Sequence, residues 1–229
     1  MSERILVWDW PTRVFHWALA LSFLLAYVTG ESDQWAKLHV VAGYSLVGLI
    51  GFRLIWGFAG SRYALFKSFW PSIQSTSRYL SSIIRGKPHH FVGHNPLGAV
   101  AIVALLSLGV ITGLTGWMIF EDIGGDWLEE VHEGAANMML GLVGIHIAGV
   151  ILSGRMHGEK LVPAMFHGMK QGHPDQGIKT GRPVIAGLLL LTLIGFWTWS
   201  FSDSGKILFG EALSSEGDGR AKSTRDDDD

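Results

Sequence analysis

Two histidines, His132 and His146, stand 14 residues apart within one apolar run, which on a helix leaves them about 40° short of four full turns and about 21 Å apart along the axis. They therefore share one face at two depths. His16 lies near the start of an earlier apolar run and His39 near the start of the next; because successive runs cross in opposite directions, depth pairs His16 with His146 and His39 with His132. A single histidine in an apolar segment is as readily a hydrogen bond to a neighbouring helix as a functional group, but four that pair by depth form a narrower pattern. A porphyrin takes four equatorial positions of its iron and leaves two axial ones to the protein, so each facing pair suits one six-coordinate haem. Zinc draws three or four ligands to a single level, and here each level has two. Two axial imidazoles leave no open iron position, so oxygen binding and oxygenase chemistry are not expected.

The chain has no cysteine, which excludes disulfides, zinc thiolate sites, iron–sulfur clusters and the thioether attachment of c-type haem. A redox cofactor here is held by other ligands and non-covalently, which points to haem b. The 229 residues are 48% hydrophobic with a mean hydropathy of +0.29, and the apolar residues are bunched rather than dispersed. A bilayer crossing needs about 20 continuous apolar residues. Five stretches meet that length: Thr12 to Gly30, Leu38 to Phe58, Asn95 to Phe120, Trp127 to Ser153 and Pro183 to Phe201. They are too long for barrel strands of about 10 residues, so helices are expected throughout. Acids and tryptophans precede the first run and no small-residue cleavage site follows it, so a removable signal peptide is not expected.

The basic residues orient the spans, because Lys and Arg resist translocation. With the N-terminus inside, 13 of the 18 basic residues fall on the cytoplasmic side, from Arg4 and Arg13 through the 53–87 connection to Arg182. The acids Glu31, Asp33, Glu121, Asp122, Asp126, Glu129, Glu130 and Glu133 fall on the opposite side. The expected fold class is an all-α membrane protein: a four-helix transmembrane bundle holding two haems, plus a fifth C-terminal transmembrane helix. The expected divisions are a di-haem core over 1–170, a linker with the fifth span over 171–202, and a mobile acidic periplasmic tail over 203–229. Ser72 to Arg85 interleaves apolar residues with Arg78 and Arg85 and reads either as a helix lying on the interface or as an ordinary connector.

Other residues accompany the ligands. Gly43 follows His39 by one turn, Gly134 follows His132, and Gly141 and Gly144 precede His146; glycine gives room for a macrocycle between helices and equally for close helix packing. Arg53 lies 14 residues after His39, level with the cytoplasmic haem, where it either pairs with a propionate or snorkels to the interface. A quinone site needs a proton-handling group near a haem, and His157, just past the fourth span, is the candidate. His89, His90 and His94 occupy the cytoplasmic connection, where loop histidines are ordinarily solvated.

Together, Phe15-His16-Trp17, Leu38-His39-x3-Gly43-x9-Arg53 and His132-Glu133-x12-His146, with Gly93-His94-Asn95-Pro96 before the third span, resemble the bacterial cytochrome b-561 and Ni,Fe-hydrogenase b-type cytochrome subunit family over roughly residues 5 to 170. The resemblance implies two b haems, one per leaflet, with His16 and His146 on the cytoplasmic-side iron and His39 and His132 on the periplasmic-side iron. It also implies electron exchange between membrane quinones and an outside partner, a hydrogenase, another dehydrogenase or a periplasmic c-type cytochrome. The bacterial inner membrane, with the N-terminus cytoplasmic and the C-terminus periplasmic, is the expected location. Lipids are the surrounding partner and nucleic acid is not expected. Two rival readings are a membrane-anchor subunit of a larger dehydrogenase or hydrogenase and, in another class, a transporter using histidines as a relay.

Overall fold

The computed structural model describes residues 3–87 and 89–202; the expected acidic tail lies outside the described residues. Helix α1 spans Trp10–Thr29, α2 Ala36–Ala59, α3 Ile73–Ile84, α4 Pro96–Phe120, α5 Trp127–His157, α6 Leu161–His167 and α7 Pro183–Ser200. Of these, α1, α2, α4, α5 and α7 are long and apolar enough to cross a membrane, and they coincide with the five expected spans to within a few residues.

The helix starts follow from local chemistry. Asp9 is extended and its carboxylate accepts from the Thr12 amide at 2.9 Å, with Pro11 in the first turn of α1. Asn95 does the same for α4, accepting from the Gly98 amide at 2.7 Å with Pro96 at the first helical position. In both cases a side-chain oxygen satisfies an amide that the helix cannot, and proline has no amide to satisfy.

Helices α1, α2, α4 and α5 enclose a common core of Phe23, Leu46, Ile50 and Met139, with Leu105, Leu106, Leu108 and Val143 against it. Gly109 and Gly113 let α4 approach α2: an added Cβ would stand 2.6 Å from Ile50 and 2.5 Å from Val47 respectively. These are the helix-packing glycines. Gly43, Gly134, Gly141 and Gly144 are not, because a Cβ on any of them would meet nothing within 4 Å. Helix α7 lies beside α1 and α2, where the Trp197 indole donates to Ser45 Oγ at 2.9 Å. The fifth span thus braces the first two.

One end of the bundle carries a cap that hydrophobic runs do not announce. Strand β1 (Glu3–Leu6) pairs antiparallel with β2 (Met169–Gly172), Glu3 opposite Gly172 and Leu6 opposite Met169. Beneath it, Ile5, Val7, Trp8, Tyr63 and Ala164 form a separate small core. Gly168 ends α6 at φ +82 with its carbonyl accepting from the Val7 and Trp8 amides, and a Cβ there would be 2.6 Å from the Trp8 carbonyl oxygen. That position combines a left-handed backbone with close approach, which only glycine meets at low cost. Helix α3 forms over the expected amphipathic stretch, closed at its start by the reciprocal Ser72 and Ser75 capping box; it buries Tyr79 and exposes Ile73, Leu80 and Ile84.

Candidate functional site

His39 and His132 meet between α2 and α5 at the end of the bundle away from the strand pair. Their ring centroids are 6.1 Å apart with the planes at 69°. Metal–imidazole bonds of about 2 Å on each side, with each ring centre about 1 Å beyond its nitrogen, would separate two axial ligands on one iron by about 6 Å. The spacing fits. His39 Nδ1 lies 2.8 Å from the Ala26 carbonyl oxygen and His132 Nδ1 lies 2.9 Å from that of Thr112. A carbonyl oxygen only accepts, so each Nδ1 carries the proton and each Nε2 keeps its lone pair for a metal. Gly116 gives the His132 ring its space: a Cβ there would lie 2.7 Å from Cε1.

His16 and His146 come from α1 and α5, nearer the capped end, and lie within electrostatic reach of each other. His16 packs edge-on against Trp17, ring centroids 5.0 Å apart, and its Nδ1 is buried with no hydrogen-bond partner. The two pairs therefore differ in their support: carbonyls hold both imidazoles of the first, while apolar packing holds His16.

Arg53 is buried, 4% exposed, with its guanidinium carbon 4.8 Å from the Phe66 ring centre and 5.7 Å from that of Phe69. It does not snorkel. Asp9, fully buried, accepts from the Trp56 indole at 3.1 Å as well as from the Thr12 amide, and its charge acts on both Arg53 and Arg13. Sequence reasoning missed this second role of Asp9; the Asp-Trp-Pro string announces a helix cap, and only the packing of α1 against α2 brings Trp56 and Arg53 to it.

His94, set aside above as a loop residue, is sandwiched between Trp8 and Phe69 at centroid distances of 4.7 and 4.5 Å, with its Nδ1 covered and unpartnered. Burial, then the charges of Arg53 and Lys170, push it down to about 3, so it is a neutral imidazole. The Gly-His-Asn-Pro turn is explained residue by residue. Gly93 stands where a Cβ would be 2.7 Å from the Tyr63 ring, His94 packs between Trp8 and Phe69, Asn95 caps α4 and Pro96 opens it.

His157 is the last residue of α5 rather than a loop residue beyond it, because that helix runs one turn past Ser153. It donates from Nδ1 to the Ser153 carbonyl at 2.9 Å and lines a cleft of about 730 Å³ with Arg62, His90, His94, Glu159 and His173. Within the cleft wall Glu159 lies 2.6 Å from His90 Nε2 and 3.0 Å from Lys170 Nζ. Burial pushes the Glu159 carboxyl up, but the hydrogen bonds from His90 and Lys170 outweigh it and hold the group below the usual carboxylate range.

The five long apolar helices define a class, an all-α, multi-pass membrane protein, with the imidazoles of His39 and His132 facing each other between two of them. Residues 7–168 match the family model described as prokaryotic cytochrome b561, and the chain belongs to that family. Among curated proteins it is similar to a probable Ni/Fe-hydrogenase B-type cytochrome subunit of Azotobacter chroococcum mcd 1, 29% identical over 57% of this chain and 66% of that protein. The counterpart in Rhodobacter capsulatus is 26% identical over 53% and 56%, and a putative cytochrome YdhU of Escherichia coli K12 is 28% identical over 64% and 67%. The chain spans a little under two thirds of the length of the hydrogenase subunits it matches. No solved structure matches it. Membership of a b-type cytochrome family implies haem b.

Proposed function

We propose that this protein carries electrons across the bacterial inner membrane between the quinone pool and a periplasmic redox partner, using two b haems held by His39 with His132 and by His16 with His146. The observation that carries this reading is the 6.1 Å approach of the His39 and His132 rings, each with its Nδ1 turned to a carbonyl. When bound, two such haems supply one-electron carriers at two depths of a layer that otherwise insulates. The chain's part is to orient and tune them. The Ala26 and Thr112 carbonyls fix the His39 and His132 tautomers and raise ligand basicity. Open faces at Gly43, Gly134, Gly141 and Gly144 suit a broad planar group better than helix-to-helix contact. Arg53 offers a buried positive charge to a propionate.

The positive-inside pattern puts the N-terminus and the strand cap in the cytoplasm, which makes His16 and His146 the cytoplasmic pair. His157, in its cleft beside His90 and Glu159, is the proton-handling group of the quinone site in this reading. The acidic connection between α4 and α5 faces the periplasm and favours a basic partner such as a small c-type cytochrome by long-range attraction. A second reading, a membrane-anchor subunit of a hydrogenase or other dehydrogenase, is favoured by the printed names of the relatives. Quinol oxidation by the purified chain alone supports the first; activity only with a catalytic partner supports the second.

Oxidised and dithionite-reduced spectra with a pyridine haemochromogen assay test the core of the proposal, with about two low-spin b haems expected per chain. Colourless protein after haem-replete expression would sink it and bring the transporter reading forward. Substituting Gly116→Ala is expected to push the His132 ring off its line and remove or convert to high spin one haem while leaving the other low-spin, read in the same spectra.

A further inference from the structure

We propose that His94 and Arg53 form a two-point clamp on a propionate carboxylate of the haem held by His16 and His146, with His94 donating from Nδ1. The inference rests on the haem assignment of the preceding section and adds a residue and a role to it.

Buried donors are normally paired, and an unpaired one calls for a partner. Arg53 Nη1 and His94 Nδ1 are both covered by protein and both without a hydrogen-bond acceptor. They flank the same ring: Phe69 lies 5.7 Å from the Arg53 guanidinium carbon and 4.5 Å from the His94 ring centre. His94 is also within electrostatic reach of Arg53, His16 and His146.

The acceptor they await is anionic. Arg13, Arg53 and Lys170 are buried around this end, and the carboxylates beside them are Asp9 and Glu159. The oxygens of Asp9 accept from the Thr12 amide and the Trp56 indole, and those of Glu159 serve His90 and Lys170. Three cations face two carboxylates, which leaves one positive charge for a further carboxylate or phosphate. A haem propionate and a lipid phosphate share that chemistry. The position beside the ligand pair and beneath the strand cap, rather than on the lipid-facing surface, favours the propionate.

The test is a potentiometric titration of the full chain in detergent, following each haem band, together with the rate of haem loss to an acceptor protein. A donor lost from the propionate leaves its negative charge less compensated and disfavours the arriving electron. Arg53→Gln is expected to lower the midpoint of one haem by a tenfold change in its redox equilibrium, about 59 mV for a one-electron couple. His94→Leu is expected to lower the same midpoint by about threefold in that equilibrium and to speed loss of that haem about tenfold. His94→Asn, whose amide nitrogen can occupy the Nδ1 position, should restore most of both. The second haem should not move.

Unchanged midpoints and haem retention in His94→Leu overturn the clamp; if His16→Ala still loses one haem, the ligand assignment survives that result. If His16→Ala keeps both haems, the ligand assignment itself fails. A midpoint shift that disappears on delipidation identifies a lipid phosphate as the acceptor and overturns the propionate. Should His94→Leu lose both haems through misfolding, Arg53→Gln carries the decision, and an unmoved midpoint there overturns the clamp as well.

Discussion

Replacing His132 with alanine is expected to lower the haem content from about two to about one per chain, and replacing His39 as well to lower it no further. The expectation follows from pairing. A haem that loses one axial imidazole is expected to leave its site, and removing the second ligand of the same iron then changes the count no further. The His39→Ala, His132→Ala double variant should therefore match either single variant, as should the His16, His146 pair. A cross-pair double variant, such as His39→Ala with His16→Ala, should be colourless. Pyridine haemochromogen counts on the four singles and these doubles read the pairing directly, as a double-mutant cycle reads coupling between contacting residues. If His39→Ala and His132→Ala remove different haems, the 6.1 Å approach of their rings is ordinary helix packing and the assignment is wrong.

The second large effect is expected at Asp9, which touches no haem ligand. Asp9→Ala removes the cap of α1, worth about 1 kcal/mol. It also removes a buried carboxylate whose charge acts on Arg53 and Arg13, leaving two buried cations less compensated. The Trp56 indole loses its acceptor at the same time. Thermal unfolding in detergent, followed by helical circular dichroism and by haem absorbance, should show a large fall in Tm with the capped end failing first. The cytoplasmic haem band should then bleach before the other. Asp9→Asn keeps the cap and one acceptor and should fall between. A stability of Asp9→Ala within about 1 kcal/mol of the parent, the loss of the cap alone, would mean that Arg53 does not depend on Asp9.

How much was legible in the sequence varies by element. The five crossings were readable because each is a long apolar run and a bilayer admits one way to satisfy such a backbone. The approach of His39 to His132 is legible because successive spans run in opposite directions, which brings the start of the second to the depth of the start of the fourth; the 14 residues between His132 and His146 fix their shared face. The strand pair was not, since four residues of β1 and four of β2 are too few for a period-2 pattern and lie more than 160 positions apart. His157 lies just past the apolar run that ends at Ser153, yet α5 continues through it and stops at Gly158, in the left-handed conformation at φ 64. His94 belongs to a connection whose histidines are ordinarily solvated, and nothing local reveals that Trp8 and Phe69, from two other segments, pack against it.

By itself, then, the sequence determined the class and the crossings, because hydropathy and helical periodicity act along the chain and need no knowledge of neighbours. The tertiary structure alone decided which carbonyls orient His39 and His132, that Asp9 serves Trp56 as well as its own helix, that Gly109 and Gly113 join helices while Gly43 and Gly141 do not, and that His94 and Arg53 meet at one ring. Those are contacts between segments remote in sequence, and their energies depend on distance and burial that no spacing along the chain encodes.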